Sequence, residues 1–284
     1  MRLLEGRPIA ARIDEDLNKQ IKELKFNPVL ASILVGENAG AEAYAKSQKR
    51  TAEKLGIEYK FIKLNQDMKE NDLIDFIQKL NEDKKVNGII LQMPLPPHID
   101  YKKMSNFILP QKDVEGMHPA NMGKIAFGKA EILPCTPAAV MELLKESGID
   151  LYGKEVVIVG HSEIVGKPLS LLLLDKFATV TVCHIGTSQA GKLEEHVRSA
   201  EVIIVAVGRA GLIKGEWIRQ GAVVIDVGIN RVAGKIVGDV QFEEAAKRAS
   251  MITPVPGGVG PLTVTMLMRN LVKAAKLQLE TGSL

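Results

Sequence analysis

The chain has 284 residues, 46% of them hydrophobic and 25% charged, with a formal net charge of +3. This length suits roughly two domains, and this balance is typical of a folded protein and not of a disordered one. The small, dispersed charge and the few aromatic residues (seven Phe, four Tyr and one Trp) argue against a nucleic-acid-binding surface.

Helix-like and strand-like segments alternate through the first part of the chain. Residues 9–24 carry apolar side chains at helical spacing and predict an amphipathic helix, and the largely apolar run 29–35 predicts a buried strand. The pattern continues with a helix over 41–55, a strand over 59–64, a helix over 70–80 and a strand over 86–92 that ends in the turn MPLPP. Such alternation predicts βαβ crossovers and a mostly parallel sheet.

A second alternating series begins after residue 150. It consists of a strand over 156–159, a helix over 165–174, a strand over 180–183, a helix over 190–199, strands over 202–207 and 223–227, and a helix over 241–249 that precedes the loop 253–261. Residues 137–147 predict a bridging helix with proline in its first turn, and 263–277 a closing helix that packs back onto the first domain. The expected fold class is α/β with two lobes and a cleft between them, where ligands commonly bind.

Cysteine usage and apolar runs bear on location. Cys135 and Cys183 are the only cysteines, and without a CxxC or Cys/His cluster no metal site is expected. Two isolated core cysteines suit a reducing cytosol better than a disulfide. The N-terminal segment mixes charges into its apolar residues, and no apolar run approaches the ~20 residues of a membrane helix. We therefore expect a cytoplasmic protein that binds no membrane.

A glycine loop follows the strand 156–159 and precedes a helix. Glycines let backbone amides approach a phosphate at a helix N-terminus, which predicts a dinucleotide site. The spacing from Gly160 through Ser162 to Gly166 is G-x-S-x-x-x-G and not G-x-G-x-x-G, so a plain strand-to-helix turn stays open as an alternative. A serine-hydrolase elbow requires G-x-S-x-G, and Ile164 stands at its last position, which excludes that class.

The next strand end bears on the choice of cofactor. NAD-specific folds often place an acid about 20 residues beyond the glycine loop, where it holds the ribose hydroxyls. Residues 183–187 contain no acid, so a 2′-phosphate is not repelled, and His161 or His184 is expected near it. NADP is therefore expected over NAD by a small margin.

Several unusual strings need a common explanation. They are YAKSQKR (44–50), LQMPLPPHI (91–99), KDVEGMHPAN (112–121), LPCTPAAV (133–140), VVIVGHSEIVGKPLSLLL (156–173), DVGIN (226–230) and ITPVPGGVGPLTVTMLMRN (252–270). Together, in this order over nearly the whole chain, they closely resemble the bifunctional methylenetetrahydrofolate dehydrogenase/methenyltetrahydrofolate cyclohydrolase family.

The resemblance implies a reaction on one-carbon units carried by tetrahydrofolate. A hydride passes from the methylene bridge of 5,10-methylenetetrahydrofolate to NADP, and the 5,10-methenyl product is hydrolysed to 10-formyltetrahydrofolate. It also implies a homodimer that takes a small folate substrate. The catalytic, folate-binding domain would cover residues 1–121, completed by 263–284, and a Rossmann-like NADP-binding domain would cover 122–262.

Family positions in the first domain imply a substrate site. Tyr44 matches a tyrosine beside the folate rings, although on sequence alone it reads as a half-buried core residue. Gln92 matches a glutamine near the reacting region, and Pro94 shapes the wall of the folate site. Asp113 and Glu115 lie in the family string KDVDG, whose second acid holds the pterin N–H donors. Glu115 keeps that carboxylate on a stem one methylene longer.

One residue departs from the family pattern Y-x-x-x-K. Gln48 stands where the family has its catalytic lysine, one helical turn after Tyr44 on the same face. An amide carries no titratable proton, and the lysine is tied mainly to the hydrolytic step, which requires proton movement. We therefore expect the dehydrogenase activity to be retained and the cyclohydrolase activity to be weakened. Lys49 is the nearest substitute, although a solubilising surface lysine is the simpler interpretation.

Family positions in the second domain imply the cofactor site. Gly160, Ser162 and Val165 belong to the glycine loop, and Ile229 in DVGIN is a further cofactor contact. His161 stands in place of a family arginine that grips the 2′-phosphate, and Ile185 in place of a polar partner. An imidazole is a weaker and more pH-dependent clamp, so the preference for NADP should be weaker than the family's.

The loop PVPGGVGP is the last family string of the site. Pro256, Gly257 and Gly258 match positions that pass beneath folate and nicotinamide, where glycines permit close backbone approach. Two alternatives to a bifunctional enzyme stay open: a monofunctional dehydrogenase, for which Gln48 is the argument, and a non-catalytic dinucleotide- or folate-binding protein. Tyr44, Gln92 and Glu115 argue against the second, because a cofactor sensor needs no pterin pocket.

Overall fold

We describe the protein from a computed structural model that covers residues 1–282. The chain divides into two compact units. The first unit consists of residues 12–135 with the described residues from 264 onward, and the second of residues 1–11 and 136–263. The predicted domain boundary at 121/122 lies earlier than this division. Asn121 belongs to a helix (Pro119–Ala126) of the first unit and donates to Asp113 Oδ2 at 3.0 Å. The predicted first domain also includes residues 283 and 284, which lie outside the described residues.

The predicted helices and strands are present, with bounds that coincide or differ by up to four residues. The helices are α1 (Gly6–Glu23), α2 (Ala39–Lys54), α3 (Glu70–Glu82), α4 (Tyr101–Ser105), α5 (Pro119–Ala126), α6 (Cys135–Ser147), α7 (Gly166–Leu174), α8 (Ile185–Gln189), α9 (Leu193–Ser199), α10 (Phe242–Ala246) and α11 (Val259–Glu280). The strands are β1 (Arg2–Leu3), β2 (Val29–Val35), β3 (Glu58–Leu64), β4 (Gly88–Leu91), β5 (Glu155–Val159), β6 (Thr179–Cys183), β7 (Val202–Val205), β8 (Val223–Asp226), β9 (Asn230–Val232), β10 (Lys235–Val237) and β11 (Met251–Ile252).

Two of these differences change where a helix near the site begins. The helix predicted over 190–199 begins only at Leu193, because Gly191 adopts a left-handed φ of +71° that separates it from α8. The closing helix predicted over 263–277 already begins at Val259, inside the predicted loop. The short elements α4, α5, α8, β1, β9, β10 and β11 are not predicted from the sequence.

A three-stranded parallel sheet in the order β3-β2-β4 forms the centre of the first unit. Every residue of β2 is buried, and its side chains alternate between two apolar clusters. Leu30 packs with Leu271 on one face, and Ile33 packs with Ile77 on the other. Because helices cover both faces, β2 reads as a nearly continuous apolar run. Burying each of these side chains contributes about 1.5–3 kcal/mol.

Helix α2 carries the first group of site residues. It begins at Asn38, whose Oδ1 accepts from the Ala41 amide at 2.9 Å and satisfies a free N–H of the first turn. Its buried stripe is formed by small residues and one amide: Ala41, Ala45, Gln48 and Ala52. That spacing is the periodicity of one helix face. Gln48 therefore points into the core of the unit, where an alanine would be the ordinary occupant.

A six-stranded sheet in the order β1-β11-β8-β7-β5-β6 forms the second unit, and its strands are parallel. The register aligns Val159 at the end of β5 with Cys183 on β6 and Val205 on β7. Val205 in turn pairs with Asp226 on β8. The carboxyl ends of four neighbouring strands therefore form one edge, which is where ligands bind in open α/β sheets.

A small hairpin follows this edge. β9 and β10 pair antiparallel through a two-residue turn in which Ala233 and Gly234 have φ of 48° and 79°. Positive φ at both central residues characterises a type I′ hairpin turn. No helix among residues 1–282 is long and apolar enough to cross a membrane.

Candidate functional site

The glycine loop of the second unit is built for close backbone approach. Gly160 has a φ of +123°, and a Cβ at this position would collide with the Ala206 carbonyl oxygen. A Cβ at Gly166 would collide with the Gly160 carbonyl oxygen. Only glycine therefore fits at either end of the loop. The loop leaves a shallow cradle at the start of α7, which is the setting for a phosphate at a helix N-terminus.

The residues between the two glycines brace the turn. Ser162 Oγ accepts from the Val165 amide at 3.1 Å, and the Ser162 carbonyl accepts from the Lys167 amide at 3.0 Å. Val165 is the N-cap of α7, and its carbonyl accepts from the Leu169 amide at 3.0 Å. Val165 therefore shapes the helix start from a partly buried position, whereas His161 and Ser162 are exposed.

A cavity of about 380 Å³ opens beside this loop, at the carboxyl ends of β5, β6 and β7. Its lining consists of Val159, Gly160, His161, Ser162, His184, Ile185, Ser188, Leu193, Ala206, Val207, Arg209 and Leu212. The structure thus brings together five of the predicted cofactor residues. The lining contains two imidazoles and one guanidinium and no carboxylate, so it suits an anionic ligand.

The two histidines of this cavity differ in the hydrogen bonds that their rings make. Their ring centroids lie 5.1 Å apart. His184 caps α8, and its Nδ1 accepts from the Gly186 amide at 3.1 Å. The neutral His184 ring therefore carries its proton on Nε2, because Nδ1 is used as an acceptor. His161 has no such tie within the described residues, so it is the imidazole free to adjust to a ligand.

Arg209 is a cavity residue that the sequence analysis missed. Its backbone amide donates to Asp239 Oδ1 at 2.7 Å, and the amides of Val207 and Gly208 donate to Asp239 Oδ2 at 2.7 and 2.9 Å. One buried carboxylate thus holds three consecutive amides of the loop that carries the guanidinium. The available signal was a basic residue directly after a Val-Gly turn at the end of a buried strand.

A second carboxylate organises the neighbouring loop. Asp226 accepts from the amides of Gly228 at 2.9 Å, Asp239 at 3.0 Å and Val240 at 2.9 Å. Burial is the largest effect on the Asp226 carboxyl and raises its pKa to about 6. This network positions the turn that carries Ile229, which is 68% exposed.

The glycine- and proline-rich loop lies beside the same turn. A cavity of about 160 Å³ is lined by Ile229 together with Pro256, Gly257 and Gly258. Gly257 has a φ of +119°, and a Cβ at Gly258 would lie 2.6 Å from Thr253 Cβ. The structure therefore groups these four predicted residues around one small cavity, with glycine required at two positions.

In the first unit, Gln48 and Gln92 form a buried amide network. Gln48 is fully buried, and its Oε1 accepts from Tyr59 Oη at 2.7 Å and from Gln92 Nε2 at 2.8 Å. Gln92 Nε2 also donates to Ser32 Oγ at 2.9 Å. Gln48 Nε2 has no hydrogen-bond partner among the described residues. An unsatisfied buried donor costs about 1–3 kcal/mol.

Tyr44 and Pro94 lie at the surface of the same unit. Tyr44 is 38% exposed and precedes Gln48 by one turn of α2. Gln92 follows β4, and its backbone N–H donates to the Ile33 carbonyl at 2.8 Å. Pro94 is exposed and follows a cis peptide bond after Met93. Lys49 is also exposed and lies 3.8 Å from Glu53, so its ammonium has a surface partner.

Asp113 and Glu115 have different surroundings. Asp113 is 3% exposed, and its carboxylate accepts from the His118 amide at 2.7 Å and from Asn121 Nδ2 at 3.0 Å. Burial raises the pKa of the Asp113 carboxyl. Asp113 forms a parallel bridge with Ile89, which places this segment beside β4. The Asp113 carboxylate is therefore occupied by donors of the protein itself.

Glu115 is partly buried and contacts a tyrosine that the sequence analysis missed. Tyr101 Oη donates to Glu115 Oε2 at 3.3 Å. Burial, followed by the charge of Asp113, raises the pKa of Glu115 to about 8. Burial and the charges of Glu115 and Asp113 raise the pKa of Tyr101 as well. Glu115 thus has a carboxylate whose charge depends on what else is bound nearby.

Sequence reasoning missed Tyr59, Ser32, Tyr101, Arg209 and Asp239. For the two strand residues a signal existed, since Ser32 and Tyr59 interrupt otherwise apolar or charged strands. Among residues 1–282, no group of three His, Cys, Asp or Glu side chains converges as a metal site.

Two family models match the chain. The catalytic-domain model of tetrahydrofolate dehydrogenase/cyclohydrolase matches residues 4–115, and the NAD(P)-binding-domain model of the same family matches residues 134–279. Among curated relatives, the "Bifunctional protein FolD" of Acetivibrio thermocellus is 50% identical over 281 residues, which are 98% of each chain.

Solved structures agree with the sequence comparison. The bifunctional FolD methylenetetrahydrofolate dehydrogenase/cyclohydrolase of Campylobacter jejuni has a TM-score of 0.94 and 46% identity, covering 98% of this chain and 99% of its own. The FolD enzyme of Trypanosoma brucei, solved with NADP cofactor and inhibitor, has a TM-score of 0.91 and 37% identity, covering 97% of both chains.

Proposed function

Because the chain belongs to the tetrahydrofolate dehydrogenase/cyclohydrolase family, we propose that it oxidises 5,10-methylenetetrahydrofolate with NADP. The 5,10-methenyl product is then hydrolysed to 10-formyltetrahydrofolate, in a step that Gln48 weakens. The proposal rests on the presence of two sites in one chain that matches both family models. One is a glycine cradle that admits no Cβ, and the other comprises a buried amide network and, in the same unit, an acid that suits a pterin.

The second unit fits a nicotinamide dinucleotide phosphate. Gly160 and Gly166 leave room for a pyrophosphate against the start of α7, and His161 and Arg209 face the adjoining cavity with positive or protonatable groups. Ser162 and Val165 keep the turn in shape, while His184 and Ile185 form the wall at the end of β6. When bound, the nicotinamide supplies the hydride acceptor. Ile229, Pro256, Gly257 and Gly258 form a second contact region for the ligands.

In the first unit, Glu115 is the group suited to the pterin. Its ionised carboxylate offers two oxygens to neighbouring N–H donors, and Tyr101 steadies one of them. Asp113 shapes the loop, because its Oδ2 already accepts from the His118 amide and from Asn121 Nδ2. Tyr44 lies beside the pterin at the surface of α2, and Pro94 lines the approach after β4. These residues orient the folate substrate, and hydride transfer depends chiefly on the orientation of the one-carbon bridge towards the nicotinamide.

The hydrolytic step makes different demands. Water attack on the methenyl carbon and opening of the ring both require a proton to move, and a positioned acid or base contributes roughly 10²–10⁴-fold to such steps. Gln48 offers an amide whose oxygen is already held by Tyr59 and Gln92. Lys49 lies on the exposed face beside Glu53 and is no substitute. These contacts favour a dehydrogenase whose cyclohydrolase step is slow over one in which both steps are fast.

We also propose a cytoplasmic homodimer. Family relationship supports the dimer, and the two free cysteines, Cys135 and Cys183, support a reducing compartment. Sedimentation equilibrium of the purified chain measures the assembly directly, and a monomer at micromolar concentration would contradict it.

The test of the proposed function uses one purified protein and two absorbance signals. NADPH formation is followed with 5,10-methylenetetrahydrofolate as substrate, and decay of added 5,10-methenyltetrahydrofolate is followed separately. We expect dehydrogenase turnover with NADP and hydrolysis that exceeds the uncatalysed rate only modestly. No reduction of NADP or NAD would instead favour the non-catalytic binding protein.

A further inference from the structure

The amide of Gln48 has one engaged end and one unengaged end. Its oxygen receives two donors, Tyr59 Oη at 2.7 Å and Gln92 Nε2 at 2.8 Å. Its nitrogen is buried and donates to nothing among the described residues. Buried polar groups in folded proteins are nearly always paired, so an exception of this kind requires an explanation.

The contacts determine which end of the amide is which. Reversing the Gln48 amide would set its NH₂ against the NH₂ of Gln92, which already donates to Ser32 Oγ at 2.9 Å. Two donors would then face each other in a buried space, with no acceptor between them. Reversing the Gln48 amide alone is therefore disfavoured, whereas the orientation observed lets Gln48 Oε1 accept from both Gln92 Nε2 and Tyr59 Oη.

Tyr59 is suited to hold the oxygen at any working pH. Burial raises the pKa of its phenol to about 12, so the group stays a neutral hydroxyl and keeps its proton for donation. It lies on β3, whereas Gln92 follows β4, and β2 lies between these two strands. The Gln48 carbonyl thus accepts from residues of the two strands that flank β2, which restricts rotation of the amide.

We propose that Tyr59 is a positioning residue that, through Gln48, presents the unpaired NH₂ of Gln48 to a hydrogen-bond acceptor of the folate substrate. The acceptor is a ring carbonyl oxygen or a ring nitrogen that carries a lone pair. The inference rests on the proposed function, because that function supplies the ligand. Tyr59 lies outside the family strings, and the inference adds a substrate-binding role for Gln48 to the proposed function.

The chemistry of the reaction agrees with a neutral donor at this position. Removing a hydride from the methylene bridge leaves a positive charge on the one-carbon unit. An ammonium group near that charge would oppose its formation, whereas an amide NH₂ supplies a hydrogen bond without a full positive charge. The clamped Gln48 therefore supports hydride transfer while providing no proton for hydrolysis.

Access to the NH₂ requires a local movement. Helical side chains lie over the turn N-terminal to their own Cα, so the Gln48 amide lies over the turn that carries Tyr44. Tyr44 is 38% exposed, and the proposal requires its side chain to shift when the substrate binds. The donor is shielded from water until that moment.

The test is a double-mutant cycle on the whole chain with Tyr59→Phe and Gln48→Met. Tyr59→Phe keeps the ring and removes the hydroxyl, which donates to Gln48 Oε1 and also hydrogen-bonds with Ser32. We expect it to lower kcat/KM for 5,10-methylenetetrahydrofolate roughly three- to tenfold, as for one neutral hydrogen bond, with KM for NADP unchanged. In the Gln48→Met background, Tyr59→Phe should have no further effect on kcat/KM, because no amide remains to be held. Tyr152→Phe, at an exposed tyrosine of the second unit, is the matched control and should change nothing.

A merely structural role for Tyr59 gives a different pattern. It would lower Tm and reduce kcat/KM by the same factor with Gln48 or Met at position 48, and this outcome overturns the proposal. An unchanged Tyr59→Phe enzyme also overturns it. Calorimetric titration of each variant with tetrahydrofolate measures the same coupling without turnover. Absence of NADP reduction by the native chain would refute the proposed function. The role of Tyr59 would then be tested by the calorimetric titration alone, from the coupling between Tyr59 and Gln48 in tetrahydrofolate binding.

Discussion

The phenol of Tyr101 donates to Oε2 of Glu115 at 3.3 Å, and the two groups lie in surroundings that disfavour charge on either. Burial and the nearby Asp113 raise the pKa of Glu115 to about 8, so the carboxyl is protonated at neutral pH in the free protein. A protonated carboxyl accepts fewer hydrogen bonds than the ionised form. Binding of a pterin through its N–H donors therefore favours the ionised state and is coupled to release of a proton.

The first prediction concerns the pH dependence of substrate binding. KM for 5,10-methylenetetrahydrofolate should fall as the pH rises through about 8, because the fraction of ionised Glu115 increases over this range. Steady-state kinetics in buffers that bracket this value measure the effect. Glu115→Gln should raise KM about tenfold and remove most of the dependence, as expected for losing a charge-assisted hydrogen bond. A native KM that is constant across the range would contradict the assignment.

The second prediction concerns stability. The Glu115 carboxyl has an ordinary pKa of 4.5, which the folded state raises to about 8, so the folded state binds its proton more tightly than the unfolded state between these values. The free energy of unfolding should therefore fall as the pH rises from about 4.5 through about 8. Asp113 contributes with the same sign because its pKa is also raised. Urea titrations at several pH values measure the slope, and Glu115→Gln should flatten it. A steeper slope in that variant would count against the linkage.

The third prediction concerns Gln48. Gln48→Lys introduces a titratable amine at the family position and should raise the rate of methenyl hydrolysis by at least ~10-fold, since a positioned acid or base contributes roughly 10²–10⁴-fold. It also removes the acceptor of Tyr59 and Gln92, so dehydrogenase kcat/KM should fall. Lys49→Gln is the matched control and should leave both activities unchanged. Native hydrolysis that is already fast, and unaltered by Gln48→Lys, would refute the weakened second step.

The fourth prediction concerns the choice between NADP and NAD. Arg209 and His161 both line the cavity beside the glycine loop, and the planar guanidinium of an arginine can bind a phosphate through two parallel hydrogen bonds. Arg209→Gln should raise KM for NADP by roughly 10- to 100-fold, the value of a hydrogen bond to a charged group, and should leave KM for NAD nearly unchanged. Arg219→Gln, at an exposed arginine that contacts the Ser199 carbonyl, is the control. An equal effect on NADP and NAD would place Arg209 elsewhere than at the 2′-phosphate.

Several elements follow from local patterns alone. The strand predicted over 29–35 is observed at Val29–Val35, because a strand buried on both faces must be apolar throughout. Predictions are poorer where a short element depends on one residue's backbone. The helix over 190–199 is broken by the left-handed Gly191, and the hairpin around Ala233 and Gly234 has no alternating apolar pattern to reveal it.

The candidate site shows the same division. Gly160, Gly166 and the departure at Gln48 are visible in the sequence, because each belongs to a contiguous string whose spacing carries a physical requirement. The separation of Asp113 from Glu115 is not visible, since both are acids in one loop. The structure distinguishes them by their donors: Asp113 is held by the His118 amide and Asn121, and Glu115 by a single phenol.

The sequence by itself thus determined the α/β class, the glycine loop and its family, and the residue that replaces the lysine. These properties depend on local spacing, which the order of residues contains. Only the tertiary structure decided that Tyr59 holds Gln48, that Arg209 shares a cavity with His161, and that Tyr101 contacts Glu115. Such pairs are set by strand register and packing, which place residues far apart in the chain within hydrogen-bonding distance, and no local pattern encodes that distance.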